Sequence, residues 1–74
     1  MPASAAHLTD RGDIIHEAGR RRLSPALRDG APALVPPGDT AGRCGWAPFF
    51  AALEARRLAV ALEPDGTVRF VPRR

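Results

Sequence analysis

The chain has one cysteine, no lysine, no tyrosine and only four aromatic residues, three Phe and one Trp. The single Cys44 excludes an intramolecular disulfide, and together with His7 and His16 it does not make a credible set of zinc ligands. No apolar run approaches the ~18 residues that a membrane span needs, and no basic residue precedes an apolar stretch at the start. We therefore expect a cytoplasmic protein without a structural metal or a membrane anchor.

The length of 74 residues allows one small domain with a thin core, because such a domain buries only about 60% of its unfolded surface. Hydrophobic residues make up 45% and charged residues 26%, which is typical of a globular chain and not of a disordered one. All eleven basic residues are Arg, as expected from a GC-rich genome, and the net charge is +3. This charge permits contact with nucleic acid but does not indicate it.

The first eight residues show no hydrophobic period, so we expect a disordered tail over 1–8 and a single domain over 9–74. Thr9 or Asp10 can cap a helix that places Ile14 and Ala18 on one side. The prediction is a helix from Asp10 to Arg21.

Two interpretations compete between Leu23 and Pro37. Ser24-Pro25 can open a short helix, whereas Asp29-Gly30 is typical of a hairpin turn. The prolines exclude a long helix, so we favour a hairpin in which 26–28 pairs with 33–35. A glycine-rich loop, 38–45, follows.

The second helix is the clearest element, predicted from Trp46 to Arg56. Its pattern repeats at i, i+3, i+4, i+7 and i+11 on Trp46, Phe49, Phe50, Leu53 and Arg57. Pro48 is tolerated there because it falls in the first turn.

Two short apolar segments follow, joined by Glu63-Pro64-Asp65-Gly66. A two-residue loop would mix apolar and polar side chains on each face. A three-residue loop with Gly66 in the left-handed conformation pairs Leu62 with Val68 and Val60 with Phe70. It also separates the faces, and the apolar one carries Leu58, Val60, Leu62, Val68 and Phe70.

The order α-β-β-α-β-β predicts an α+β fold with two helices packed on one side of a small, four-stranded antiparallel sheet. The aromatic stripe of the second helix is expected to lie against the apolar face of the last hairpin.

Few residues suggest chemistry. His16-Glu17 begins like a zinc-protease motif, but Arg20 stands where the second His is required. Cys44 lies beside Arg43 and near a helix start, yet no base is positioned next to it, so a passive thiol is favoured. The glycine-rich stretch 38–42 lacks the Lys of a phosphate loop, and Arg11-Gly12-Asp13 is interpreted as a chance match.

The arginines suggest a phosphate-binding or partner-binding surface. The candidates are Arg20, Arg21, Arg22, Arg56, Arg57, Arg69, Arg73 and Arg74. If 24–29 were helical, the element order would imitate a winged-helix DNA-binding domain. The exposed side of the second helix offers only alanines, however, and no Asn, Gln or Lys to contact base edges. That alanine-rich side, Ala47, Ala51, Ala52 and Ala55, suits a protein partner or a second copy.

The run Trp46-x-x-Phe49-Phe50-x-x-x-Glu54-x-x-x-Leu58-Ala59, with Arg69-Phe70 after it, resembles a family of small bacterial proteins of unknown function. Members often carry the label of 1,4-alpha-glucan branching enzyme. The resemblance implies the order of elements and no activity, because a glycosyl-transferring barrel needs about 250 residues. The chain departs from the family pattern at Glu17, where the family has Trp, at Arg22-Leu23, where it has Gly-Gly, and in its basic charge.

The sequence therefore predicts a non-enzymatic domain that acts through protein contact or self-association. The alternative is a nucleic-acid-binding accessory protein that uses arginines on phosphates. We expect no catalytic residue, cofactor, metal ion or small-molecule substrate.

Overall fold

A computed structural model describes residues 6–73 and shows a small α+β fold with two helices and two antiparallel sheets. The elements are β1 (Ala6–Leu8), α1 (Arg11–Arg20), β2 (Ser24–Arg28), β3 (Ala31–Val35), α2 (Trp46–Ala55), β4 (Leu58–Leu62) and β5 (Val68–Pro72). One sheet has the strand order β1-β4-β5, and the other is the β2-β3 hairpin. The predicted α+β class is correct, but the single four-stranded sheet is wrong.

The two hairpins stay in separate sheets because other segments occupy the edges through which they would have joined. The Leu27 N–H donates to the Gly42 carbonyl at 2.8 Å, and the Cys44 N–H donates to the Pro25 carbonyl at 3.0 Å. The loop before α2 therefore covers the free edge of β2. On the other sheet, β1 pairs along β4 and takes the edge next to it.

The structure places residues 6–8, which were expected to lie in the disordered tail, in strand β1. This strand pairs antiparallel with β4, with Leu8 opposite Val60, and Leu8 packs against the core. Three residues are too few to show a strand period, so the sequence gives no signal here. Residues 1–5 of the predicted tail lie outside the described residues.

Helix α1 begins and ends within one residue of the prediction. The Asp10 carboxylate caps its start by accepting a hydrogen bond from the Asp13 N–H at 3.0 Å. At its end the Leu23 N–H reaches the Ala18 carbonyl at 2.8 Å, which is the wide bond of a Schellman motif. Arg22 takes the left-handed position of that motif with a φ of 57°, where glycine is usual.

The hairpin interpretation of 24–35 is confirmed, with a register two residues from the predicted one. Ala26 pairs with Ala33, and Arg28 pairs with Ala31. The turn is tighter than expected because Asp29 and Gly30 both adopt positive φ, 53° and 77°, as a two-residue type I′ turn requires.

Helix α2 and the β4-β5 hairpin match their predictions most closely. Leu62 pairs with Val68 and Val60 pairs with Phe70. The three-residue loop is confirmed, since the Gly66 N–H donates to the Glu63 carbonyl and Gly66 has a φ of 95°.

The core lies between α2, α1 and the three-stranded sheet. Its buried members are Ile14, Phe49, Phe50, Leu53, Val60 and Leu62. Phe49 is fully buried, and its ring centroid lies 6.2 Å from that of Phe70. The predicted contact between the aromatic stripe and the last hairpin is confirmed.

Candidate interaction surfaces

Four arginines are engaged by carboxylates on the surface. The pairs are Arg11–Glu54 at 2.7 Å, Arg20–Glu17 at 3.2 Å, Arg28–Asp39 at 2.6 Å and Arg69–Glu63 at 3.3 Å. Two of the eight candidate contact residues, Arg20 and Arg69, are in this set, so their charge is already partly neutralised. Exposed pairs of this kind contribute about 0–1 kcal/mol each, and their main effect is on the local field.

Three candidate arginines belong to adjoining segments, the end of α2 and the end of β5. The Arg73 N–H donates to the Arg57 carbonyl at 2.8 Å, and the Arg73 Nη2 donates to the Leu58 carbonyl at 3.2 Å. Arg56 reaches toward the β2-β3 turn, with its Nη2 3.5 Å from the position that a Cβ on Gly30 would take. We call Arg56, Arg57 and Arg73 the end cluster. Among the described residues, no carboxylate forms an ion pair with any of them.

The remaining candidates do not join the end cluster. Arg21 and Arg22 follow the last turn of α1, whereas the first residue of α1, Arg11, contacts Glu54 close to the end of α2. The ten residues of α1 rise about 15 Å, so these two arginines lie about one helix length from the Arg11–Glu54 contact. Arg74 lies outside the described residues.

The outer side of α2 carries small apolar side chains, as predicted. Ala47, Ala51 and Ala55 are exposed, and Ala52 is half-buried. The single carboxylate of this helix, Glu54, accepts two hydrogen bonds from Arg11, at 2.7 and 3.1 Å. The Arg11 guanidinium also lies 5.3 Å from the centroid of the Phe50 ring. Arg11 thus ties α1 to α2 and pairs with the one carboxylate of α2. We call Ala47, Ala51 and Ala55 the alanine face.

The other residues that suggested chemistry have structural surroundings. Glu17 pairs with Arg20 and His16 is exposed, while Cys44 is half-buried and packs against the core. Within residues 6–73, no three His, Cys, Asp or Glu side chains come together as a metal site. In the same part of the chain, neither helix is long and apolar enough to cross a membrane.

The glycine-rich loop is built around Asp39. Its carboxylate accepts hydrogen bonds from Arg28 at 2.6 Å and from the Ala41 N–H at 3.2 Å. The hydrogen bond from Arg28, followed by that from Ala41, lowers the pKa of Asp39 from its ordinary value. The carboxylate thus fixes the loop against the end of β2.

Sequence reasoning missed a half-open depression on the outer side of the three-stranded sheet. It measures about 610 Å³ and is lined by His7, Thr9, Ala59, Val71, Pro72 and Arg73. His7 was assigned to the tail, but β1 places it opposite Ala61. The only signal in the sequence is the alternation of Ala59 and Ala61 with Val60 and Leu62. That alternation shows the two alanines facing away from the core and says nothing of what surrounds them.

Comparison of the chain with protein-family models, with curated proteins and with solved structures gives no match. The resemblance through the Trp46 to Ala59 motif stays a prediction.

Proposed function

We propose that this domain is a non-enzymatic interaction module that self-associates through the alanine face of α2. The observation that supports the proposal is an exposed helix side made of Ala47, Ala51 and Ala55, one turn apart from each other. Small side chains let a second helix approach to about 8–10 Å between axes. The same face can meet its own copy without bringing like charges together, because Arg11 neutralises Glu54.

The size of the alanine face sets the affinity that we expect for self-association. Ten helical residues make a stripe about 15 Å long and about 10 Å wide, on the order of 150 Å² per subunit. A stable complex of standard size buries about 800 Å² per partner. The contact is therefore weak, with a dissociation constant above about 1 μM, and concentration controls it.

The experiment is multi-angle light scattering over a concentration series, with Ala51→Glu as the test variant and His16→Glu as the matched control. His16 is exposed on α1, so the control adds the same side chain away from the alanine face. We expect a concentration-dependent mass for the wild type and the control, insensitive to salt, and a monomer for Ala51→Glu. A monomeric wild type at every concentration would contradict the proposal.

The end cluster favours a second candidate function, phosphate contact with nucleic acid. The Arg73 N–H donates to the Arg57 carbonyl, and Arg56 precedes Arg57 in the chain, so three arginines without a carboxylate partner among the described residues belong to adjoining segments. Phosphate contacts made by arginines release counterions. Three contacts give a logarithmic salt slope of about −2 to −3. Fluorescence anisotropy with a random duplex and a random RNA, between about 50 and 200 mM salt, tests this. Binding that is absent, or unaffected by Arg56→Gln with Arg57→Gln, would rule it out.

A further inference from the structure

The outer side of the three-stranded sheet forms a channel because its central strand carries only alanines there. In β4, Val60 and Leu62 point to the core, so Ala59 and Ala61 point the other way. His7 and Arg69 flank Ala61 on the neighbouring strands, and the register places Val71 beside Ala59. Ala59 is 3% exposed and Ala61 is 0% exposed, although no helix packs on this side. The residues opposite them in the neighbouring strands, His7, Arg69 and Val71, are larger than alanine. We call this channel the outer trough.

The lining of the outer trough is apolar at its floor and cationic or hydrogen-bonding at its rim. Ala59, Val71 and Pro72 supply the apolar surface. The polar residues of the lining are His7, Thr9 and Arg73. No carboxylate lines the depression among the residues described, and the nearby Glu63 is held by Arg69 at 3.3 Å.

The dimensions of the outer trough indicate the size and shape of the ligand that it can hold. The two flanking strands, β1 and β5, lie two strand spacings apart, about 10 Å between backbones. A gap of this width is narrower than a nucleic-acid duplex and matches a single alkyl chain or ring. A second copy of the same face would bring an Arg73 from each copy to the same apolar floor, which like charge disfavours. The volume of about 610 Å³ is within the range of small-molecule sites.

We propose that the outer trough binds a small amphipathic monoanion, a carboxylate carried on a short apolar chain. Arg73 Nη2 donates one hydrogen bond to the Leu58 carbonyl. A guanidinium has five N–H donors, so further N–H groups of Arg73 can donate to the carboxylate. A planar carboxylate matches that fork better than a phosphate, which favours several cations. The apolar chain would lie over Ala59 and Val71, and His7 and Thr9, which also line the depression, carry hydrogen-bonding side chains.

The test is a two-dimensional amide NMR titration of the full chain with hexanoate. Hexanamide, the uncharged analogue, and inorganic phosphate are titrated in the same way. We expect saturable shifts at His7, Ala59 and Val71 with hexanoate, and affinity lower by about tenfold or more with hexanamide, because charged hydrogen bonds discriminate by that much. Phosphate is expected to bind more weakly than hexanoate.

Arg73→Gln and Thr9→Val separate binding from folding. We expect Arg73→Gln to weaken hexanoate by about tenfold and the isosteric Thr9→Val to weaken it less, while Arg21→Gln, with the same loss of charge elsewhere, leaves it unchanged. Unperturbed amide shifts in α2 show that the variants fold. The proposal is overturned if hexanoate gives no saturable shift, if hexanamide or phosphate binds as well, or if Arg21→Gln and Arg73→Gln have equal effects.

Discussion

Replacing Gly42 by alanine should destabilise the fold through the loop that covers β2. A Cβ on Gly42 would lie 2.3 Å from the Leu27 carbonyl oxygen and 3.3 Å from its carbon, and Gly42 has a φ of +73°. Left-handed backbone costs a non-glycine residue about 1–2 kcal/mol. The Leu27 N–H bond to the Gly42 carbonyl lies at the same contact, and the neighbouring Cys44 N–H bond to Pro25 holds the same loop, so we expect relief of the clash to weaken both. With about 0.5–1.5 kcal/mol for the bond that is lost and a smaller amount for the one that is weakened, the total loss is about 2–4 kcal/mol.

The loss is large compared with the whole stability of the domain, which is about 4–11 kcal/mol at 74 residues. Urea unfolding followed by Trp46 fluorescence measures it, because the indole is half-buried and its ring centroid lies 5.3 Å from that of Phe49. The matched control is Gly38→Ala, which has a φ of +92° but no atom within 4 Å of the new Cβ. Equal losses in the two variants would refute the role of the close approach at Leu27.

Three further results are expected. Arg22→Gly should raise the free energy of unfolding by up to about 1 kcal/mol, because glycine relieves the left-handed strain at the end of α1. Part of that gain is lost, since glycine also raises the entropy of the unfolded chain. A lower free energy of unfolding in urea denaturation would contradict this. Phe49→Ala should cost about 3–5 kcal/mol, since its ring is fully buried, and a loss under about 1 kcal/mol would show that the core lies elsewhere. Asp39→Asn should lower stability at neutral pH, and the difference from the wild type should shrink in acid. The sign follows from the lowered pKa of Asp39: its stabilisation is complete above the unfolded pKa and is lost as the pH falls through the folded one, so a difference independent of pH would be inconsistent with the Arg28 contact.

The sequence predicts the second half of the fold well because each element there carries two agreeing signals. The aromatic period of α2 fixes which side is buried, and the chemistry of the turn at Gly66 fixes the register of β4-β5. An error of one residue in that register would have turned Phe70 to solvent. The turn chemistry and the burial pattern both favour the same register, so the sequence pattern alone predicts these elements.

The first half is predicted less well because its structure depends on contacts between distant segments. Strand β1 exists through its pairing with β4, more than fifty residues away, and three residues cannot show this alone. The edge of β2 is covered by a loop whose glycines suggested only flexibility, although Gly42 is held against Leu27. Both contacts decide that there are two sheets and not one. The outer trough was missed for the same reason, since His7 and Arg73 line one depression only in the folded chain.

The number of arginines in the sequence does not say where they lie in the fold. Their number indicated a basic surface, but Arg20 and Arg69 pair with carboxylates, and Arg21 lies at the end of a different helix from Arg56. A count of charged residues does not say which side of an element they lie on, whereas the period of a helix does. The alanine face was therefore located from sequence, and the end cluster was not.

The most direct test of self-association is the dependence of amide NMR shifts on the concentration of the unmodified protein. Our account predicts that dilution moves the signals of Ala47, Ala51 and Ala55 together along one binding curve, at low and high salt alike. Signals that do not move, or that move only around Arg56 and Arg57, would contradict it.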